Sequence, residues 1–168
     1  MAKSNPKPAA KTPPSDRQIL YNKKLRHDHA IIDTYEAGIV LSGSEAKSLR
    51  NGDVQWGDAH ARFDERTGEL FLFSLHIGEY RQAGVFGHQP QQPRKLLLSR
   101  KELDRMAVAM AGKGLTIIPE ELLFRRGYAK VSICLCKGKD RKDKRQDLMK
   151  RAQNRDVDRE MARRAKRG

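Results

Sequence analysis

The charged residues of this 168-residue chain are distributed unevenly, and the distribution confines any hydrophobic core to the middle of the chain. Residues 1–28 carry seven Lys/Arg and two Asp/Glu, residues 29–136 carry 14 and 13, and residues 137–168 carry 14 and six. The three net charges are therefore +5, +1 and +8, within a formal total of +14. A nearly neutral middle with two basic arms predicts one folded domain whose arms bind a polyanion. The alternative is that the basic arms only aid solubility.

The two arms differ from each other in composition. Residues 1–18 contain four prolines and few apolar side chains, so they cannot offset the entropy of ordering and we expect them to be disordered. Residues 139–168 hold no Gly or Pro before Gly168, but their apolar residues form only an interrupted helical stripe. We expect this tail to be disordered in isolation and helical on a partner. The folded domain is predicted to span residues 19–138.

The pattern of residues 29–136 predicts short strands interrupted by two helices. Ser44 is a candidate N-cap for a helix that stops near Gly52, and Ser99 with Glu102 forms a capping-box pattern for a second helix. Residues 78–93 lack any period and should form a long exposed loop. Short strands joined by hairpins favour a mainly β fold, a small closed barrel with two or three flanking helices. Strands are predicted over residues 29–35, 37–41, 59–63, 70–73, 94–98, 115–118 and 128–136.

The sequence gives no support to catalysis, a metal or cofactor, or a membrane span. His27 and His29 have the spacing of two strand ligands, but no second ligand pair follows, and polar surface residues are the better interpretation. Cys134 and Cys136 are expected to be buried strand thiols rather than a disulfide framework. No nucleophile elbow or phosphate-binding loop is present, and no apolar stretch approaches a membrane span or a secretory signal. We expect a soluble cytoplasmic protein that is not an enzyme.

Two features point to RNA instead. The cluster of residues 22–27 offers cations for phosphates, and Tyr21 or His27 could stack on an exposed base; a solvated basic loop is the alternative. Glu36 would repel phosphate, so at an RNA surface it must accept from base groups or orient a cation such as Lys130. An ordinary exposed Glu at a strand bend is the other interpretation. The cluster contains Asn22, Lys23, Lys24, Arg26 and His27.

Four motifs in order resemble the SsrA-binding protein family (small protein B). The first is Asn22-Lys23-Lys24-x-Arg26-His27, and the second runs from Tyr35-Glu36-Ala37-Gly38 through Lys47-Ser48-Leu49-Arg50. The third is Arg94-Lys95-Leu96-Leu97-Leu98 followed by Glu102-Leu103, and the fourth is Lys137-Gly138-Lys139 followed by Asp143-Lys144-Arg145. The resemblance spans about residues 20–165, and four separate motifs make it specific.

The resemblance implies a barrel of the oligonucleotide-binding (OB) type that binds the tRNA-like part of transfer-messenger RNA. The protein would bring this RNA to bacterial ribosomes stalled on truncated messages, where the incomplete peptide receives a degradation tag. It implies an RNA-binding face at Glu36, Leu97 and Lys130, with the loop of residues 22–27 beside it. The implied partners are transfer-messenger RNA, the ribosome and, indirectly, the elongation factor that carries aminoacyl-tRNA, with no membrane.

The resemblance also implies that the tail enters the vacant decoding site and message channel of the ribosome and becomes helical there. Such a channel is lined with phosphates, so a cationic, helix-prone segment fits it and would be excluded when message is present. Two rival interpretations are a structural ribosomal protein and a metal-dependent nuclease, the latter lacking a carboxylate cluster. The residues expected to engage the ribosome are Lys137, Lys139, Asp143, Lys144, Arg145, Lys150 and Arg151.

Overall fold

The computed structural model describes residues 17–139 and Met161. The expectations for residues 1–16 and for the tail, including Asp143, Lys144, Arg145, Lys150 and Arg151, lie outside the described residues. The strands are β1 Arg17–Tyr21, β2 His29–Ile39, β3 Val54–Gln55, β4 His60–Phe63, β5 Leu70–Phe73, β6 His76–Ile77, β7 Arg94–Leu97, β8 Thr116–Arg125 and β9 Tyr128–Gly138. The helices are α1 Leu25–Asp28, α2 Gly43–Arg50 and α3 Arg100–Met110, with a 3-10 helix over Arg81–Phe86.

Six strands form a closed ring of antiparallel pairings. The hydrogen-bonded order is β8, β4, β5, β7, β2, β9 and back to β8. Strand β1 pairs with the second half of β8, outside the ring, and β3 pairs only with β6. The predicted mainly β fold with flanking helices is confirmed, and ring closure removes the exposed edges that an open sheet would leave.

Alternating side chains of the ring strands fill its interior. Val131, Ile133 and Leu135 are buried on β9, and Ala37 and Ile39 are buried on the facing strand β2. Each Leu, Ile or Val moved from water into such a core contributes about 1.5–3 kcal/mol. The helices add their own apolar side chains to the same cluster, Leu49 from α2 and Met106 from α3.

The caps of the two longer helices come from serines, one of them not the serine predicted. Ser99 and Glu102 form the expected capping box at the start of α3. Helix α2 is capped by Ser42 rather than Ser44, because the residue three positions after Ser42 is Glu45, whose carboxylate returns to the Ser42 amide. Ser44 instead places its hydroxyl 2.9 Å from the ring of His88.

A buried ion pair anchors the segment predicted to be a long exposed loop. Arg94 donates to Glu45 over 2.7 Å, and both side chains are at most 2% exposed. Burial by itself raises the pKa of Glu45, but hydrogen bonds from Ser42, Gln92 and Arg94 outweigh it and lower the pKa. The prediction for residues 78–93 is therefore wrong in part, since His88 is buried and residues 81–86 are helical. Local composition does not reveal such distant anchors.

Several strands are longer than predicted. Strand β2 runs unbroken through Glu36 instead of bending there, and β1 begins before Ile19. Strand β8 continues past Pro119 because a register shift between Pro119 and Glu121 absorbs the missing proline N–H. No helix within the described part of the chain is both long enough and apolar enough to cross a membrane.

Candidate RNA-binding surface

Strand pairing brings three of the predicted site residues together on the outside of the ring. Gly38 of β2 lies opposite Lys130 of β9 on one side and opposite Leu97 of β7 on the other. Leu97 is 53% exposed although it is apolar. A Cβ added at Gly38 would lie 3.3 Å from the Leu97 Cβ. Because Gly38 has no side chain, a shallow depression remains between the apolar Leu97 and the cationic Lys130.

Glu36 lies on the same outer face and organises its cations. Arg125 donates to one carboxylate oxygen of Glu36 over 2.5 Å, and the Lys130 ammonium lies 3.9 Å from the other. Orienting a cation such as Lys130 was one of the interpretations of Glu36, and Arg125 is its nearer partner. We call Glu36, Leu97, Arg125 and Lys130 the β2–β9 face. The sequence analysis did not identify Arg125. The one sequence feature that points to it is its position directly before the hairpin turn that leads into the strand of Lys130.

The predicted basic cluster forms a short connection around α1, and we call residues 22–28 the basic segment. Leu25 is buried against Cys134 and Cys136 in a second apolar cluster outside the ring. Asn22 accepts a hydrogen bond from the Leu25 amide and donates to the Pro119 carbonyl, so its side chain shapes the segment. Lys23 and Lys24 are exposed and project from it.

Glu120 is the buried anchor of the basic segment. Its carboxylate accepts hydrogen bonds from Arg26 over 2.6 Å, from Tyr21 over 3.3 Å and from the Cys134 thiol over 3.4 Å. Burial by itself raises the pKa of Glu120, but the bonds from Arg26 and Cys134 outweigh it and the pKa is lowered. Glu120 is therefore ionised beneath the cations. The sequence offered no signal for this role.

The contacts of Glu120 set the position of the basic segment relative to the β2–β9 face. Arg26 donates to Glu120, whose other carboxylate oxygen accepts from Cys134, and Cys134 pairs with Thr34, two residues before Glu36 in β2. A single RNA site that combines residues 22–27 with Glu36, Leu97 and Lys130 stays a prediction. Both groups lie on the outer surface of the β2–β9 pair, because Cys134 and Cys136 alternate with the inward-facing residues of β9 as Lys130 does.

The last described residues before the tail contact the basic segment. Lys139 donates from its amide to the Asp28 carbonyl and from its ammonium to the Arg26 carbonyl, both over 3.0 Å. These are carbonyls at the end of α1, where a cation is favoured. Lys137 precedes it and is exposed. The start of the tail is thus fixed to the same segment that carries Lys23 and Lys24.

The structure also defines the surroundings of His27, which was considered as a metal ligand, and of the two cysteines. His27 Nδ1 lies 3.0 Å from the Asp28 carboxylate. Cys134 and Cys136 are buried free thiols, and a hydrogen bond with Cys134 together with burial raises the pKa of Cys136. Across residues 17–139, no three His, Cys, Asp or Glu side chains are grouped to hold a metal ion.

Comparison with known proteins identifies the family. The model of the SmpB protein family matches residues 19–163. This chain belongs to the SmpB family. An SsrA-binding protein of Oceanobacillus iheyensis is 50% identical over 141 residues, which are 84% of this chain and 90% of that protein. One of Salinispora tropica is 50% identical over 148 residues, 88% of this chain and 92% of that protein.

A solved structure agrees with the assignment to the SmpB family. It is described as "tmRNA-SmpB: a journey to the center of the bacterial ribosome" and is 43% identical to this chain, with a TM-score of 0.60. The match covers 77% of this chain and 93% of the solved one. The resemblance inferred from four short motifs is confirmed.

Proposed function

We propose that this protein is an RNA-binding adaptor that binds the tRNA-like domain of transfer-messenger RNA and delivers it to stalled ribosomes. There it supports trans-translation, which frees the ribosome and tags the incomplete peptide for degradation. The observation that carries the proposal is the 50% identity to SsrA-binding proteins over 84% and 88% of this chain. The solved structure whose description names tmRNA-SmpB and the bacterial ribosome supports the ribosomal partner.

In this proposal the two surface groups bind different parts of the RNA. Lys23 and Lys24 of the basic segment pair with phosphates, whose neutralisation releases counterions. The β2–β9 face offers the exposed Leu97 and the depression at Gly38 to a base or ribose, with Lys130 beside them. One folded RNA domain that crosses the outer surface of the β2–β9 pair would contact both groups.

Glu36 has a defined role in this arrangement. Its carboxylate is shared between Arg125 and Lys130, so it fixes the direction of both cations and cancels one of their charges. Removing Glu36 frees both side chains to rotate, and RNA affinity falls through lost orientation rather than lost phosphate contacts. The contacts with Arg125 and Lys130 support this role over that of an ordinary exposed Glu at a strand bend.

The tail supplies the ribosomal contacts of the proposal. Lys137, Lys139, Asp143, Lys144, Arg145, Lys150 and Arg151 are its proposed ribosome-binding residues. The tail would occupy the message channel only when no message fills it, so recognition of a stalled ribosome needs no catalytic step. We accordingly propose a non-enzymatic, cytoplasmic protein. Its link to the elongation factor would be indirect, through the aminoacylated RNA.

Two measurements test the proposal. RNA that copurifies with the protein from cells is sequenced, and transfer-messenger RNA is the expected main species. Ribosomal RNA alone, with the protein present on all ribosomes in equal amount, would favour a structural ribosomal protein.

Binding of purified transfer-messenger RNA is then titrated at several salt concentrations. Lys130→Ala should weaken binding and lower the salt slope by about one phosphate contact. Glu36→Ala should weaken binding without lowering the slope. Wild-type affinity in both variants would contradict the placement of the site.

A further inference from the structure

We propose that the tip of the β8–β9 hairpin is a stacking site for an unpaired RNA base, with Tyr128 as the platform and Arg126 as the adjacent phosphate contact. The inference rests on the proposed function, because it extends the RNA surface to residues that neither the motifs nor the comparisons single out. The ligand is one nucleotide of a loop or single strand, whose base face is accessible as it is not in a duplex.

The exposure of Tyr128 is the first observation. Its side chain is 74% exposed at the start of β9, while the other large apolar side chains of that strand are buried. An aromatic ring left in water at a strand end gains nothing for the fold. It presents a flat face on which any base can stack, whatever its sequence.

The turn that precedes Tyr128 is the second observation. Arg126 and Gly127 connect β8 to β9 with φ of 50° and 85°, both in the left-handed region. Two-residue hairpin turns of this kind favour Asn-Gly, because a side chain such as arginine is disfavoured at positive φ. Arg126 therefore stands where Asn would fold more easily. A cation occupies the tip against local backbone preference, which fits a role in binding.

Charge and position link the tip to the β2–β9 face. Arg125 lies directly opposite Tyr128 in the hairpin, and Lys130 follows two residues later on the same side of β9. Glu36 contacts Arg125 and Lys130, and Arg126 in the turn adds a third cation next to Tyr128 in the chain. This surplus of positive charge next to an aromatic ring is complementary to a nucleotide, which pairs an anionic phosphate with a flat base.

Substitutions at the tip separate stacking from charge. Tyr128→Leu keeps an exposed apolar side chain but removes the ring, and we expect it to weaken binding of transfer-messenger RNA by about 5- to 150-fold with an unchanged salt slope. Tyr128→Phe keeps the ring and should bind within about two-fold of wild type. Arg126→Asn suits the turn better, so it should fold at least as well as wild type while lowering the salt slope by about one.

A matched control shares the exposure but not the position. Val108 on α3 is 75% exposed, and Val108→Ala should leave RNA affinity unchanged. Wild-type affinity in Tyr128→Leu, or equal losses in the Leu and Phe variants, would overturn the stacking site while leaving the proposed function intact. An unchanged salt slope in Arg126→Asn would overturn the phosphate contact. A wild-type chain that fails to bind transfer-messenger RNA would overturn the proposed function itself.

Discussion

Replacing Glu120 by Gln tests whether a buried charge holds the basic segment in place. The substitution preserves shape but removes the negative charge, so the Arg26 guanidinium that now donates to Glu120 over 2.6 Å is left with a neutral acceptor. Hydrogen bonds to charged groups are worth about 1.5–3 kcal/mol when a partner is lost in a buried setting. Because Arg26 is 62% exposed, we place the loss in the free energy of unfolding toward the low end, about 1–2 kcal/mol.

The assay is thermal and denaturant unfolding, combined with titration of transfer-messenger RNA. A loss of this size lowers the melting temperature by about 3–10 °C for a domain of this length. The loosened basic segment should also bind RNA several-fold more weakly. Glu121→Gln is the matched control, because Glu121 follows directly but contacts Gln18 at an exposed site. Its effect on stability should stay within about 0.5 kcal/mol.

The contribution of Glu120 to the free energy of unfolding should depend on pH. The pKa of Glu120 is lowered in the folded protein, below the value of about 4.3 expected for an unfolded Glu. Its contribution to stability is therefore complete above pH 4.3 and is lost as pH falls through the lower folded pKa. The difference in unfolding free energy between wild type and Glu120→Gln should narrow in that acid range. If the Glu120→Gln variant is no less stable than the Glu121→Gln variant, Glu120 does not anchor the basic segment.

Two further predictions concern other buried and tail contacts. Arg94→Met should lower the free energy of unfolding by about 3–5 kcal/mol, measured by denaturant titration, because it leaves Glu45 buried without its cation. A loss below 1 kcal/mol would contradict this. Lys139→Met should speed amide hydrogen exchange in α1, since it removes the bond to the Arg26 carbonyl, whereas Lys137→Met removes the same charge from an exposed strand end and should not. Equal exchange rates in the two variants would show that the hydrogen bond from Lys139 to the Arg26 carbonyl does not stabilise α1.

Local patterns predicted much of the fold. Alternation along residues 59–63, a turn at residues 65–68 and the apolar run at 70–73 predicted the β4–β5 hairpin, and Ser99 with Glu102 predicted the start of α3. These signals succeed because the interacting groups are near in sequence. The choice of Ser44 over Ser42 as a cap failed for a local reason, since the capping box needs Glu three residues after the serine and only Ser42 satisfies that spacing.

Contacts between distant residues account for what the sequence could not reveal. Arg125 meets Glu36 across 89 positions, and Glu120 meets Arg26 across 94. Nothing in the spacing of either pair distinguishes it from other acidic and basic residues of the chain. The relative positions of the two surface groups likewise depend on contacts between distant residues, since Glu120 of β8 and Cys134 of β9 connect Arg26 to the strand that carries Glu36.

Peptide tagging on ribosomes stalled at the end of a truncated message tests the central claim most directly. The full chain and a chain ending at Lys139 are compared for binding of transfer-messenger RNA and for tagging. Both should bind the RNA with similar affinity, because β9 closes the strand ring and ends at Gly138. Only the full chain should support tagging. No tagging by the full chain despite RNA binding, or tagging by the shortened chain at the full rate, would contradict the account of an adaptor with a ribosome-engaging tail.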